Sequence, residues 1–179
     1  QGYSSAASDV YKRQTIGTSG VVFGCTSSPL IDAQNRAIMS MAHSVENKWC
    51  FLGLVLSAGG AFKWLRDTIF PMQKEACAKN GTDIYDYMTS LAVQAQPGCE
   101  GLTFLPYLNG EKTPISDENA RGVLFGLSYR HGINEIARSV MEGIMTDIMY
   151  TVPSEHDIEK VIVTADCVKN GTGPDVIRK

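Results

Sequence analysis

No stretch of the 179 residues is apolar for the roughly 18–20 positions that a membrane span requires, and no basic segment leads into a long apolar one as in a secretory signal. Positive charge is also short. Sixteen Lys and Arg against 19 Asp and Glu leave a formal charge of -3, which gives no electrostatic case for nucleic acid. The five cysteines (Cys25, Cys50, Cys77, Cys99, Cys167) are odd in number and widely spaced, with no C-x-x-C. They argue for reduced thiols in a cytoplasm, and against a disulfide framework or a zinc site. The three histidines, His43, His131 and His156, share no ligand spacing and read as surface or satisfied core positions. G-x-x-x-x-G-K-[ST] and G-x-G-x-x-G are both missing, which removes P-loop and Rossmann enzymes. Internal repeats and low-complexity segments are missing too.

What is there is enough for one core. The hydrophobic content is 44%, and a chain of this length favours a single domain. Residues 1–14 (QGYSSAASDVYKRQ) are polar and follow neither structural period. They read as a non-native leader, of the kind a translated adapter leaves, and are set aside from the fold. Residues 15–179 form the expected domain.

That domain is organised around Gly17-Thr18-Ser19-Gly20, a turn of small residues followed at once by Val21-Val22-Phe23. Small residues let backbone N–H groups crowd around an anion, and the Thr18 and Ser19 hydroxyls stand where phosphate oxygens would meet them. A plain hairpin turn is the competing reading. A polar turn over 43–48 leads to the apolar run 49–56 (WCFLGLVL), expected as a strand covered on both faces. Ser57-Ala58-Gly59-Gly60 opens a helical stretch over 61–70, and Pro71 breaks it or starts the next turn. Thr82 or Asp83 caps a helix through about Ala95, ended by Pro97-Gly98. Short strands follow at 101–105 and 122–127, separated by the irregular polar stretch 106–121. The clearest helix runs over 134–150, with Ile136, Ala137, Val140, Met141, Ile144, Met145 and Ile148 in one stripe. A strand over 158–164 comes last. Strands alternating with helices place the chain in the α/β class.

Several of these stretches resemble the FGGY family of carbohydrate kinases, in order along the chain. The turn with its apolar run resembles a GTSGVVF segment. Ser57-Ala58-Gly59-Gly60 with Trp64, Arg66 and Asp67 resembles the SAGG...W.RD helix start. Leu105 to Pro114 (LPYLNGEKTP) resembles the LPYLxGERTP loop, with Lys112 in place of arginine. Gly122, Leu124, Gly126 and Leu127, then Glu135, Ile136, Ser139, Val140, Met141 and Glu142, meet the spaced pattern of the second signature. The resemblance covers nearly all of 15–170, and the wording of the loop is that of the xylulose-phosphorylating branch.

The resemblance implies an actin-like ATPase (ribonuclease-H-like) lobe, a mixed sheet flanked by helices, incomplete at both ends and matching the carboxyl-terminal, ATP-gripping lobe. It implies ATP, with Mg²⁺ carried by the nucleotide, and a small-molecule sugar substrate: D-xylulose first, with gluconate, ribulose and glycerol as alternatives. The implied nucleotide contacts are Gly17, Thr18 and Ser19 at the terminal phosphates, and Gly59, Gly60 and Lys63 at the start of the following helix. Ala165, Asp166 and Asn170 fall at the adenine loop, where Ala165 and Asp166 replace family glycines. Amides at Gly59 and Gly60 are expected to favour an anion, with plain helix-entry geometry as the alternative. The catalytic aspartate belongs to a missing amino-terminal lobe of the same enzyme, so none is assigned here. A homodimer is common among relatives. The rival from another class is a non-catalytic, actin-like binding module. Glu111, Lys112, Asp117, Glu118 and Arg121 read as a solvated loop with local ion pairs.

Overall fold

The structure is a computed structural model that describes residues 12–32, 37–151, 161–165 and 176–177, with 12–16, 161–165 and 176–177 described through their strand pairing. The turn at Gly17 joins β1 (Lys12–Ile16) to β2 (Gly20–Thr26), an antiparallel pair with Ile16 opposite Gly20. Beyond β2 lie β4 (Trp49–Val55) and β3 (Met39–Ala42), both antiparallel to their neighbours. On the other side of β1 runs β7 (Val161–Ala165), parallel to it, and then β8 (Val176–Ile177). The order is β3-β4-β2-β1-β7-β8, a mixed sheet. Lys12, Arg13 and Gln14 therefore sit in a strand held from both sides, although 1–14 reads as a leader in the sequence. Ladder bonds are made by the backbone, so a polar run is recruited when strands flank it on both edges.

Along β2 buried and half-buried residues alternate, with Gly20, Val22, Gly24 and Thr26 inward. In β4, Phe51, Gly53 and Val55 are buried, while Leu52 and Leu54 are only half-buried. Cover on the second face is partial: there Cys50 is buried and Leu52 and Leu54 are half-buried. A Cβ at Gly20 would lie 3.4 Å from the Ile148 side chain, and one at Gly53 3.0 Å from Thr151, so the last long helix lies directly on this face.

The described residues hold four α-helices: the last lies on the sheet, the first and third pack on that helix, and the second packs on those two. α1 (Ala58–Thr68) buries Ala58, Ala61 and Leu65, the i, i+3, i+7 stripe of a core-facing helix. It starts three residues before the expected 61, because Gly59 and Gly60 form its first turn. α2 (Pro71–Asn80) has no counterpart in the sequence reading: it buries only Cys77, so it lacks the stripe by which helices are found. Its ends are nonetheless legible. Pro71 opens it, where a missing N–H costs nothing, and Gly81 closes it at φ 69. α3 (Ile84–Gln94) is capped by the Asp83 side chain, which accepts from the Tyr85 N–H at 2.8 Å. α4 (Ile133–Tyr150) begins with Glu135 accepting from the Gly132 N–H at 2.7 Å.

A separate ribbon of β5 (Thr103–Leu105) and β6 (Val123–Phe125) lies against α4. The contact needs Gly143, where a Cβ would collide with the Phe104 carbonyl oxygen. Val22, Phe51, Val55, Leu65, Phe70, Met88, Phe104, Val140, Ile144 and Ile148 then close one core. Each large side chain in it contributes about 1.5–3 kcal/mol.

Candidate functional site

The turn 17–20 docks onto the first turn of α1. The Gly17 N–H donates to the Ser19 carbonyl at 2.8 Å, which tightens the bend. The Gly17 and Thr18 carbonyls then accept from the Gly59 and Gly60 N–H groups at 3.0 and 2.9 Å. These two amides are among the orphan donors of a helix start, and the turn satisfies them. The expectation that they hold an anion is therefore corrected: both donors are spent within the protein. Gly59 must be glycine because a Cβ would run into the Gly17 carbonyl, whereas at Gly60 the nearest approach is 3.2 Å.

The Ser19 hydroxyl donates to the Leu56 carbonyl at 3.2 Å, so of the expected hydroxyl pair only Thr18 keeps its proton for a ligand. Thr18 is exposed, and its N–H and hydroxyl have no partner among the described residues. Lys63 is exposed on α1 one turn beyond Gly59, on the same side of the helix. Ala165 ends β7 directly opposite Ile16, so that strand finishes beside the entry to the turn. The structure thus brings Gly17, Thr18, Ser19, Gly59, Gly60 and Ala165 to one end of the sheet. Asp166 and Asn170 lie outside the described residues.

The loop 106–121 braces this end from behind. Thr113 pairs with β4, its N–H donating to the Leu54 carbonyl at 3.0 Å and its hydroxyl accepting from the Leu54 N–H at 3.1 Å. Glu111 Oε1 accepts from the Leu56 N–H at 2.9 Å and the Lys112 N–H at 2.7 Å. Leu56 carries the Ser19 bond on its other face, so one residue links loop and turn. Glu111 is only 2% exposed, which corrects its reading as a solvated loop charge. Lys112, Asp117 and Arg121 bond locally within the loop, to the Ser116 hydroxyl, the Asn119 N–H and the Glu118 and Ala120 carbonyls.

A family model for the carboxyl-terminal domain of the FGGY family of carbohydrate kinases matches residues 14–163. The chain belongs to the FGGY carbohydrate kinases. It is 34% identical over 138 residues to a gluconokinase of Bacillus licheniformis, covering 77% of the chain and 26% of that protein. It is 35% identical over 130 residues to a xylulose kinase of Escherichia coli K12, covering 73% of the chain and 24% of that protein. The chain thus spans about a quarter of the length of these curated relatives. Among solved structures, it resembles a xylulose kinase of Lactobacillus acidophilus with a TM-score of 0.74 and 28% identity, over 89% of this chain and 31% of that one. A gluconate kinase of the same organism also gives 0.74, at 27% identity over the same shares. The α/β class and the actin-like lobe with its mixed sheet are therefore those of the FGGY kinases.

With the family in hand, its W.RD motif has a structural account. Trp64 stacks on Phe104 of β5 at 5.9 Å, Arg66 reaches the Tyr85 hydroxyl at 2.8 Å, and Asp67 takes Lys74 of α2 at 2.6 Å. The motif ties α1 to the ribbon and to two helices.

Asp147 was missed by sequence reasoning altogether. It sits on the buried face of α4, 4% exposed, and accepts from the Tyr107 hydroxyl at 3.2 Å. Its Oδ2 and the Glu111 Oε2 are buried without a hydrogen-bond partner among the described residues, and the two carboxyls influence each other's charge. Burial, and then the Glu111 charge, raise the Asp147 carboxyl to about 7, while burial also raises Glu111, opposed in part by the N–H groups of Leu56 and Lys112. Burial and the Asp147 carboxylate push the Tyr107 phenol well up. A sequence signal existed, because Asp147 falls in register with Val140 and Ile144 on an otherwise apolar stripe. A cavity of about 160 Å³ between β5 and α4 is lined by Tyr107, Glu142 and Asp147 but by no residue of the turn.

The histidines do lack ligand spacing along the chain, yet not in space: a ring nitrogen of His43 and the Cys25 and Cys50 sulfurs lie within 4.8 Å of one another. Strand register, not sequence spacing, assembles them.

Proposed function

We propose that the chain is the ATP-gripping part of the carboxyl-terminal lobe of a sugar kinase, which passes the γ-phosphate of ATP to a sugar hydroxyl. The observation that carries this reading is the docking of 17–20 onto the start of α1, with the end of β7 alongside. Under it the Thr18 N–H and hydroxyl hold the terminal phosphate in line and offset charge that spreads in the transition state. Gly17 and Ser19 shape the bend. Gly59 and Gly60 act by anchoring it rather than by donating to the ligand, and Lys63 faces the nucleotide from α1. Ala165, Asp166 and Asn170 are assigned to the adenine on the family resemblance alone. The exposed, unpartnered donors of Thr18 suit an anion of this kind; Mg²⁺ arrives with the nucleotide and supplies charge neutralisation on its phosphates. The base that takes the sugar proton is assigned to another lobe of the same enzyme, and none to this chain.

D-xylulose, yielding xylulose 5-phosphate, is the first substrate because LPYLNGEKTP is the xylulokinase wording. Gluconate is the second reading, favoured by the gluconokinase at 34% identity. A cytoplasmic setting is proposed because Cys25, Cys50, Cys77 and Cys99 form no disulfide. A coupled ADP-release assay on the full-length enzyme with D-xylulose, ribulose, gluconate and glycerol tests the proposal. Turnover of D-xylulose above the others supports it; turnover of gluconate alone moves it to the second reading, and turnover of none removes the kinase.

A further inference from the structure

Cys25 of β2 and Cys50 of β4 stand directly opposite each other in the ladder, so both thiols leave the same face of the sheet. His43 follows β3, whose Met41 pairs with Cys50 on the far side, and the turn 43–48 is closed by the His43 N–H donating to the Lys48 carbonyl at 3.0 Å. Three successive segments, β2, the turn after β3 and β4, thus deliver two sulfurs and one imidazole nitrogen to a single point, all within 4.8 Å of one another. We propose that Cys25, His43 and Cys50 form a binding site for a thiophilic divalent cation of the zinc type, with the fourth position left to water.

The donor set decides the class of ion. Two thiolates with an imidazole suit Zn²⁺, whereas Mg²⁺ and Ca²⁺ require oxygens. The spacing needs little adjustment. Two sulfurs bound at about 2.3 Å in a tetrahedron stand roughly 3.8 Å apart, so closure by at most about 1 Å suffices. Cys50 is 4% exposed and Cys25 and His43 are half-buried, which shields the ion on the sheet side and leaves an entry from the turn. Each thiol gives up its proton to water as its sulfur–metal bond forms.

The imidazole adds a consequence specific to this geometry. The Val45 N–H donates to His43 Nδ1 at 2.9 Å. A neutral imidazole has one lone pair. Ligation through Nδ1 takes that acceptor, and ligation through Nε2 requires Nδ1 to carry the proton, so in either case the Val45 amide loses its partner.

The test is a zinc titration of the reduced chain against a chromophoric chelator, with cobalt as the spectroscopic probe. The expected result is one metal per chain, a thiolate-to-cobalt charge-transfer band, and faster hydrogen exchange at the Val45 amide. Cys50→Ser and His43→Ala each weaken zinc binding by at least the roughly 10–100-fold that even outer partners of ligands are worth. Cys77→Ser leaves it unchanged. Because Cys50 is buried, His43→Ala on the surface turn separates loss of a ligand from loss of fold. Absence of saturable uptake overturns the site. So does uptake that survives His43→Ala, or a Cys25–Cys50 disulfide that dissolved oxygen forms in preference to metal binding.

Discussion

Thr18 is where the proposed chemistry concentrates, because its neighbours are already committed: Ser19 to Leu56, and the Gly17 carbonyl to α1. Thr18→Val in the full-length enzyme keeps the size and removes the hydroxyl donor. The expected loss is about 10²-fold in kcat with little change in the melting temperature, since donors aimed at developing charge are worth that much. Steady-state kinetics with a parallel melt checks it. Asp147 predicts a pH effect of definite sign. Its carboxyl is raised to about 7 in the fold from 3.8, so the folded state holds this proton more tightly than the unfolded chain does. The stabilisation is fully present below about pH 4 and is lost as pH rises through about 7. The melting temperature should therefore fall between pH 5.5 and 8, with a contribution on the order of 1–3 kcal/mol. Asp147→Asn, which can still donate toward Glu111 and accept from Tyr107, should flatten that dependence; an unchanged slope would exclude this carboxyl as its source. At this scale the sequence was legible at the turn and opaque at the brace. Small residues announce a bend, but nothing in the wording of 106–121 separates a buried Glu111 from the exposed charges beside it.

At the scale of elements, the join between the turn and α1 is the part most sensitive to substitution. Gly59→Ala places a methyl group against the Gly17 carbonyl, while Gly60→Ala meets the Thr18 oxygen at 3.2 Å and can be relieved by a small shift. Gly59→Ala should cost about 1–3 kcal/mol in chemical denaturation, and Gly60→Ala visibly less. The reverse order would contradict the docking. Helices with a stripe were readable: α3 and α4 lie within about a residue of their expected bounds at most ends. α2 was not, because its residues bury almost nothing and only its proline and glycine speak for it. The Cys25–His43–Cys50 cluster was invisible for a different reason. Its members meet through register between three strands, and register is set by the fold rather than by spacing along the chain.

Over the whole molecule, the α/β class, the mixed sheet and the family were all accessible from motif order, while the extent of cover over the second face of β4 was not. Whether a strand is covered on one face or two depends on what packs above it, and the residues of β4 suit either case. The ribbon leaves apolar side chains outward: Phe125 is 72% exposed, Leu127 58%, and Tyr129 fully so. The isolated chain should therefore bind a hydrophobic dye, and Phe125→Ser with Leu127→Ser should reduce that signal while preserving a cooperative melt. Dye binding unchanged by the pair would place the exposed surface elsewhere.

Among the described strands only β1 and β7 run side by side in the same direction, and they join residues 12–16 to 161–165. During synthesis β2 reaches β1 at once, but the opposite edge of β1 stays open until residues 161–165 have left the ribosome. An edge left bare that long is a template for pairing with a stranger. Maturation of this lobe is therefore timed by the arrival of β7, and ribosome-bound chains ending before residue 161 should be the ones that chaperones retain.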